Sequence, residues 1–221
     1  MIATKMDLEN LKEVRKMKHT EIYYGELNNK GYYLKILKNY HKKVKKQDVL
    51  KSKKELETIG LKCFNVVESG SFKGEKYYIS EEVKGKDFEE LLQEGKTFDE
   101  LSSLILESMS YFMKMLKNDL FYFGYNLKNF MVVDKDLVLI DIEEVQKKIF
   151  FKEKAATKTI WNSLRSLKAG ADRCNLSYEK LEEMLYEKYE EVIGDSSRVK
   201  RNIARYQSLR DKKRNMKLKK K

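Results

Sequence analysis

The spacing of apolar residues changes once along this chain, near residues 81 to 87. Before that point, in TEIYYGELNNKGYYLKILKN (20 to 39), apolar side chains recur at every second position, as they do in strands. After it, in TFDELSSLILESMSYFMKMLKN (97 to 118), they recur every three or four positions, as they do in amphipathic helices. Strands that come first and helices that follow favour a two-part α+β fold over an alternating α/β sheet.

The expected elements begin and end at recognisable residues. The stretch ELNNKG (26 to 31) predicts a turn between two strands, because Asn and Gly tolerate a positive φ. Thr97 and Glu100 form a capping box that begins the clearest helix. Further strands are expected at 63 to 70, 74 to 85, 130 to 133 and 137 to 141. Further helices are expected at 41 to 59, 87 to 95, 153 to 169, 178 to 193 and after Ser196.

This order of elements predicts three segments. Residues 1 to 83 form a sheet lobe with one lysine-rich helix, and residues 84 to 195 form a helical lobe that carries a short hairpin. Residues 196 to 221 form a basic amphipathic helix. Its apolar stripe consists of Val199, Ile203, Tyr206 and Leu209.

The positive charge is concentrated at the C-terminal end. The formal net charge is +12, and Ser196–Lys221 contains twelve Lys and Arg against the single acid Asp211, which gives +11 there and +1 elsewhere. A second basic block, Lys35–Lys54, has nine lysines against Asp48. Such segments are attracted to anionic surfaces, and the partner expected for 196 to 221 is an anionic membrane surface. Nucleic acid is disfavoured, because Tyr206 is the only aromatic residue there for base stacking.

Cysteine and histidine give little basis for a zinc site or a His-based metal site. Cys63 and Cys174 lack the spacing of a zinc motif, and His19 and His41 are the only histidines. No run of about 18 apolar residues predicts a membrane span, and the charged N-terminus lacks the apolar core of a signal peptide. The expected location is the cytoplasm, with a peripheral position on the inner face of the cytoplasmic membrane through the basic helix.

Three polar residues lie within or beside apolar strands. Lys35 is part of YYLKIL, and burying its ammonium group is costly unless an anion pairs with it. Asn129 precedes one strand of the hairpin and Asp141, twelve residues later, follows the other, so the hairpin brings both to one edge. Taken alone, Lys35 also fits a surface lysine, Asn129 a turn residue and Asp141 a helix or turn cap. Together they match phosphoryl transfer, which uses a cation on the nucleotide phosphates and an Asn and an Asp on Mg²⁺.

Three segments carry a resemblance to a known fold: YYLKIL, YYISEEVKGKDF and FGYNLKNFMVVDKDLVLIDIEE. They resemble the protein-kinase-like fold, a bilobal α+β fold with a small antiparallel sheet lobe and a larger helical lobe. Within that fold they are similar to the small lipopolysaccharide core kinases of Gram-negative bacteria, such as the heptose kinases. The resemblance covers about residues 20 to 165, and residues 123 to 143 carry most of it.

The resemblance implies a role for each matching residue. Lys35 would hold the α- and β-phosphates of ATP, and Asn129 and Asp141 would hold Mg²⁺. The backbone of Glu81 and Val83 would face adenine at the hinge, and ELNNKG would cover the phosphates. The ion-pair partner implied for Lys35 is an acid of the lysine-rich helix. The candidates are Glu55 first, with Asp48 and Glu57 as alternatives.

The sequence departs from the family pattern at the catalytic loop. The family has His/Ser-Gly-Asp-x-x-x-x-Asn-Phe, and its general-base Asp falls here on Tyr125 or Asn126, depending on the alignment. No carboxylate lies between Asp119 and Asp134. Neither a phenol nor an amide replaces a carboxylate as the acceptor of the substrate proton. Positioning and metal electrostatics supply most of the catalysis in phosphoryl transfer, so the missing base does not by itself exclude turnover.

Several functions are therefore compatible with the sequence. The first is an ATP- and Mg²⁺-dependent kinase of a sugar hydroxyl on a lipid-linked saccharide of the lipopolysaccharide core. In that case the base is absent or comes from elsewhere, with Asp119, Glu143 and Glu144 as candidates. The second is a pseudokinase that binds nucleotide without turnover. The third is a kinase that acts on another class of substrate.

Overall fold

The chain consists of two compact units. The computed structural model describes residues 9–38, 48–72, 74–122, 125–147 and 152–218. One unit, here called the sheet unit, comprises Met1–Phe88 and Lys128–Gln146; the other, the helical unit, comprises Glu89–Leu127 and Lys147–Lys221. The expected α+β class, with strands first and helices afterwards, is confirmed.

Five antiparallel strands form the main sheet. They are β1 (Glu9–Met17), β2 (Thr20–Leu27), β3 (Lys30–Leu37), β4 (Val66–Phe72) and β5 (Glu75–Glu81), in the order β1-β2-β3-β5-β4. The tight turn between β2 and β3 has Asn28 and Asn29 at φ values of 52° and 61°. The predicted turn is therefore present, and it uses the two residues whose short polar side chains tolerate this conformation.

The two faces of β3 differ as its alternating pattern predicts. Tyr32, Leu34 and Ile36 are buried on one face, where they pack with Tyr77 and Ile79 of β5. Lys35 lies on the other face, because successive side chains of a strand alternate. Its neighbour across the ladder on β5 is Tyr78.

Strand β1 was not expected from the sequence. Its larger apolar residues, Leu11, Val14 and Met17, occur every third position and are 39% to 55% exposed. The pairing of β1 with β2 has two register irregularities, so these residues do not follow a simple alternation. The period of two that identifies an ordinary strand is therefore missing at this edge of the sheet.

Helix α1 (Val49–Thr58) accounts for the second half of the predicted lysine-rich helix. The first half of that prediction, at 41 to 47, lies outside the described residues. The Asp48 side chain caps α1 by accepting a hydrogen bond from the Leu50 N–H at 2.9 Å. The buried positions of α1 are Val49, Ser52 and Leu56.

Five shorter strands complete the β structure. They are β6 (Lys86–Asp87), β7 (Leu120–Tyr122), β8 (Phe130–Val133), β9 (Asp136–Leu139) and β10 (Val145–Lys147). The predicted hairpin is β8–β9, and β6 adds to it beside β8. The sequence placed this hairpin in the helical lobe, but it belongs to the sheet unit. The reason is that the backbone of Leu139 exchanges hydrogen bonds of 3.0 Å with Lys62 and Phe64, just before β4.

The helical unit is built around α3. Its helices are α2 (Phe88–Gln93, of which the first residue is in the sheet unit), α3 (Phe98–Lys117), α4 (Lys152–Cys174), α5 (Tyr178–Val192) and α6 (Ser197–Leu218). The predicted capping box is present: the Glu100 N–H donates to Thr97 Oγ1 at 3.2 Å, and the Thr97 N–H donates to Glu100 Oε2 at 2.8 Å. The buried stripe of α3 includes Leu101, Ile105, Met109, Phe112 and Leu116.

The predicted basic helix is α6, and part of its apolar stripe is used for packing within the helical unit. Val199 is buried, and the ring of Tyr206 lies edge-on to Trp161 of α4 with centroids 5.0 Å apart. Trp161 Nε1 also donates to Gln207 Oε1 at 2.9 Å. Leu209 remains 51% exposed. Among the described helices, none has the length and apolar character needed to cross a bilayer.

Candidate functional site

Lys35 is the centre of a charged cluster in the sheet unit. Its side chain is only 14% exposed, and its ammonium group contacts two carboxylates. One is Asp141, and the other is Glu143, whose Oε1 lies 2.6 Å from Lys35 Nζ. A lysine in an apolar strand was expected to need an anion, and it has two.

Glu143 is the more deeply buried of the two acids. Its side chain is 2% exposed, and its second oxygen, Oε2, accepts a hydrogen bond from the Tyr78 hydroxyl at 3.1 Å. Tyr78 lies directly opposite Lys35 in the β3–β5 ladder, and Lys35 Nζ is 5.9 Å from the centre of its ring. Two neighbouring strands thus hold the same carboxylate.

Asp141 occupies an unusual backbone conformation. Its φ and ψ are 66° and 38°, and it immediately precedes a single turn of 3-10 helix, Ile142–Glu144. A left-handed conformation is uncommon for residues other than Gly, although Asp tolerates it better than most. The turn keeps both carboxylates on Lys35, while the Asp141 side chain stays 38% exposed. Asp141 is therefore the acid of the pair that solvent can reach.

The hairpin brings Asn129 to the same end as Asp141. Phe130 pairs with Leu139 across the β8–β9 ladder, and beyond this pair the Ile140 N–H donates to the Asn129 carbonyl at 2.8 Å. Asn129 is therefore next to the residue that precedes Asp141. This is the arrangement that the twelve-residue spacing predicted.

The cluster has two carboxylates, Asp141 and Glu143, and one ammonium group, Lys35. Burial by itself lowers the pKa of Lys35, but Tyr78, Asp141 and Glu143 raise it well above the ordinary value, so the side chain is an ammonium ion at neutral pH. Burial, and then the neighbouring Glu143, raise the pKa of Asp141, against the opposing effect of Lys35. Two acids on one cation suit a further cation, and Mg²⁺ takes carboxylate and amide oxygens together with phosphates and water.

A metal site made by protein side chains alone is not seen here. Among the residues that the structure describes, no three His, Cys, Asp or Glu side chains form a group that could hold a metal ion. Asn129 and Asp141 offer one side-chain amide and one carboxylate. In nucleotide sites Mg²⁺ takes only one or two ligands from the protein, so this pair fits a Mg²⁺ that arrives with a nucleotide.

Three acids at or on α1 were expected as partners of Lys35, and the structure gives each a different environment. Asp48 caps the helix, and Glu57 pairs with Lys53 at 2.7 Å. Glu55 lies on α1 and is half-buried. Sequence reasoning considered Glu143 only as a possible substitute base and missed its contact with Lys35. The available signal was its position two residues after Asp141, which a turn can bring to the same partner.

The expected hinge residues follow the sheet directly. Glu81 is the last residue of β5, and its N–H donates to the Asn65 carbonyl at 2.9 Å. Val83 lies in the loop between β5 and β6 and is half-buried. Among the described residues, the N–H and C=O of Val83 bond to no other backbone group.

The two positions that replace the expected catalytic aspartate belong to the helical unit, where Tyr125 is part of the core. Its side chain is fully buried, its hydroxyl shares a 2.7 Å hydrogen bond with Ser108 of α3, and its ring centre is 5.3 Å from that of Phe112. Burial raises the pKa of Tyr125 beyond its usual range. Asn126 is half-buried, and the preceding Gly124 lies outside the described residues.

Comparison with known proteins identifies the fold. No family model and no curated protein matches the sequence. A solved structure of WaaP in complex with acyl carrier protein is similar with a TM-score of 0.59 and 14% identity, over 88% of this chain and 86% of that chain. The PknI kinase domain of Mycobacterium tuberculosis gives 0.46 and 10% over 75% of this chain and 76% of that chain, which is too distant to carry an argument. The chain therefore has a protein-kinase-like fold that resembles WaaP.

Proposed function

We propose that this protein is an ATP- and Mg²⁺-dependent phosphotransferase whose nucleotide site surrounds Lys35. The observation that carries the proposal is the cluster of Lys35, Asp141 and Glu143 beside Asn129, within a protein-kinase-like fold. A positioned lysine with an Asn and an Asp on one hairpin is the set that phosphoryl transfer needs.

Each residue of this site has a distinct task. The Lys35 ammonium group would donate hydrogen bonds to phosphate oxygens of ATP, and its positive charge would offset their negative charge. Asn129 and Asp141 would hold Mg²⁺ through their side-chain oxygens, and the ion would neutralise phosphate charge. The backbone N–H and C=O of Val83 and the C=O of Glu81 would contact adenine.

The residues of the catalytic loop predict a low rate of phosphate transfer. Tyr125 is committed to the core of the helical unit, so we assign the position of the missing aspartate to Asn126. An amide orients a hydroxyl group but does not accept its proton at neutral pH. Catalysis would then rest on positioning and on charge stabilisation, which supply the larger share in phosphoryl transfer.

A pseudokinase is the second candidate. The catalytic loop favours it, because the buried Tyr125 and the amide of Asn126 stand where a carboxylate is expected. Such a protein would bind Mg²⁺ and ATP through Lys35 and Asp141 and transfer nothing. The two candidates share the nucleotide site and differ only in turnover.

The acceptor that we propose is a sugar hydroxyl of a lipid-linked saccharide, as in the lipopolysaccharide core kinases that the sequence resembles. The helical unit offers a cationic surface for an anionic membrane that would present such an acceptor. A groove of about 790 Å³ lies between α4 and α6, and its cations are Lys152, Lys154, Lys158 and Arg205. Tyr206 and Leu209 add apolar surface to the groove.

The membrane contact differs from the one expected of a free amphipathic helix. Because Val199 is buried and the Tyr206 ring packs near Trp161, only part of the stripe of α6 is available to acyl chains. Attraction to the surface would come mainly from charge, which salt screens. We therefore propose a peripheral location on the inner face of the cytoplasmic membrane.

The test is transfer of labelled γ-phosphate from ATP, with Mg²⁺, to core glycolipid carried in anionic vesicles. Asp141→Asn is expected to abolish transfer, and Asp136→Asn is the matched control, because Asp136 is 65% exposed on the same hairpin and pairs with surface Lys62. Transfer by wild-type protein that Asp141→Asn retains would contradict the site. ATP binding without transfer to the glycolipid, to casein or to free sugars would favour the pseudokinase.

A further inference from the structure

Glu143 differs from Asp141 in how firmly it is held. Both oxygens of Glu143 have partners, Lys35 Nζ at 2.6 Å and the Tyr78 hydroxyl at 3.1 Å, and the side chain is 2% exposed. Asp141 contacts the same ammonium group but is 38% exposed. A carboxylate so deeply buried is strongly tied to its hydrogen-bond partners, because losing one leaves a charge without compensation. A half-exposed carboxylate can exchange its partner for water or a cation at much lower cost.

We propose that Glu143 stays paired with Lys35 whether or not a nucleotide is bound, and we call it the anchor of Lys35. Asp141 is the exchangeable partner: it gives up Lys35 and binds the cation that accompanies a nucleotide. The role of this pairing in nucleotide binding rests on the proposed function, whereas the pairing of Lys35 with Glu143 does not depend on turnover. Glu143 is thus a positioning residue: it holds the Lys35 ammonium group where phosphate oxygens are to be bound, and it touches no substrate.

Helix α1 contacts the chain just after the turn that carries Glu143. The Ser52 hydroxyl donates to the Val145 carbonyl at 3.3 Å, and Ser52 is one of the buried residues of α1. Val145 comes two residues after Glu143. Of the α1 acids, Asp48 serves as the helix cap and Glu57 pairs with Lys53. The packed face of α1 therefore braces the segment that carries the anchor.

The consequence is that anchor and metal ligand belong to one turn. Asp141 and Glu143 flank Ile142, which is fully buried and fixes the turn between them. The orientation of Lys35 is then set by the sheet and by this turn, which α1 braces through Ser52.

The first test is a pair of double-mutant cycles on thermal unfolding, which needs no nucleotide. Lys35→Met and Glu143→Gln remove the two charges with nearly isosteric side chains, and Lys35→Met with Glu55→Gln forms the second cycle. The double variant of Lys35 and Glu143 is expected to lose clearly less melting temperature than the sum of the single variants, because each single variant already loses the Lys35–Glu143 contact and the double variant loses it only once. The cycle with Glu55 is expected to be additive. Coupling of Lys35 to Glu55 that equals or exceeds its coupling to Glu143 would overturn the proposal.

The second test is Mg²⁺-ATP binding by calorimetry with the same variants. Glu143→Gln is expected to weaken binding about tenfold, since it removes a charge-assisted contact that orients Lys35. Glu55→Gln is expected to have a smaller effect. Tyr78→Phe, which removes only the second hydrogen bond of Glu143, covers the case in which Glu143→Gln does not fold, and it should weaken binding by about threefold. If turnover occurs, KM for ATP should rise more than kcat falls.

The two tests separate the anchor from the proposed function. A wild-type protein that binds no Mg²⁺-ATP but shows the Lys35–Glu143 coupling would refute the nucleotide site and keep the anchor. A protein that binds Mg²⁺-ATP but loses more affinity through Glu55→Gln than through Glu143→Gln would keep the site and refute the anchor.

Discussion

Lys35 and Asp141 are 106 residues apart in the sequence and form an ion pair on one face of the main sheet. Glu143 shares the same ammonium group, so the cluster carries one negative charge more than it neutralises. Burial and the neighbouring Glu143 make the ionised form of Asp141 less favourable than in the unfolded chain. The arrangement is therefore costly for the protein without ligands and suited to receive a cation.

Asp141→Asn should raise the melting temperature of the ligand-free protein at neutral pH. The pKa of Asp141 is raised on folding, so its ionisation opposes folding once the pH exceeds the unfolded value near 3.8. The opposition grows as the pH rises through the folded pKa and is absent below the unfolded pKa. The advantage of the variant should thus be largest near pH 7 and disappear towards pH 4, as thermal scans at several pH values would show. A variant that is less stable than wild type at pH 7 would contradict this account of the cluster.

Asn126→Asp should increase phosphate transfer. If Asn126 stands at the position of the missing general base, a carboxylate there can accept the proton of the acceptor hydroxyl, which typically contributes about a hundredfold or more. The measurement is kcat for the variant against wild type at saturating ATP. An unchanged kcat, in a variant that still binds Mg²⁺-ATP like wild type, would show that Asn126 does not face the acceptor.

Tyr125→Phe should leave transfer unchanged and lower stability by about 1 kcal/mol. The substitution removes the hydrogen bond to Ser108 and keeps the ring that packs near Phe112. Urea unfolding gives the stability change, and the transfer assay gives the activity. Loss of activity with normal stability would return Tyr125 to the candidate catalytic residues.

Arg173→Met should be strongly destabilising. Arg173 makes two hydrogen bonds to Glu89, whose side chain is 1% exposed, and one of them joins Nε to Oε2 at 2.8 Å. Removing the cation takes the charged partner from a buried carboxylate, which typically costs about 3–5 kcal/mol. The matched control is Arg198→Met, since Arg198 is 70% exposed and pairs with half-exposed Glu153. It should change stability by about 1 kcal/mol or less in the same urea titration, and equal effects of the two variants would contradict the assignment.

The cationic groove between α4 and α6 should bind anionic vesicles in a salt-sensitive manner. Lys154→Glu with Arg205→Glu is expected to reduce sedimentation with phosphatidylglycerol vesicles several-fold at about 0.1 M salt. Lys62→Glu with Lys114→Glu, at exposed positions outside the groove, controls for net charge. An equal loss in the control pair would mean that overall charge, and not this groove, drives binding.

Local signals in the sequence were sufficient for much of the fold. The capping box of Thr97 and Glu100 begins α3, and Asn28 and Asn29 form the turn between β2 and β3, because both depend on residues close in sequence. The hairpin that places Asn129 near Asp141 was also predictable, since its register follows from its length. By contrast β1 lacks an alternating pattern, and no periodicity identified it.

The details that decide the chemistry depend on long-range contacts. The pairing of Lys35 with Glu143 joins a strand to a turn more than a hundred residues later, and the position of Glu143 two residues after Asp141 does not by itself favour it over an acid on α1. The burial of Tyr125 depends on Ser108 and Phe112 of α3, which a loop motif does not reveal. Sequence therefore indicated the type of site, while its ion pairing required the structure.

The most direct measurement is calorimetric titration of ATP into the protein with and without Mg²⁺, for wild type, Asp141→Asn and Asp136→Asn. The account predicts Mg²⁺-dependent binding by wild type and by Asp136→Asn, and loss of the Mg²⁺ dependence in Asp141→Asn. Absence of ATP binding by folded wild-type protein, or equal Mg²⁺ dependence in Asp141→Asn, would contradict the central claim that Lys35 and Asp141 form a nucleotide site.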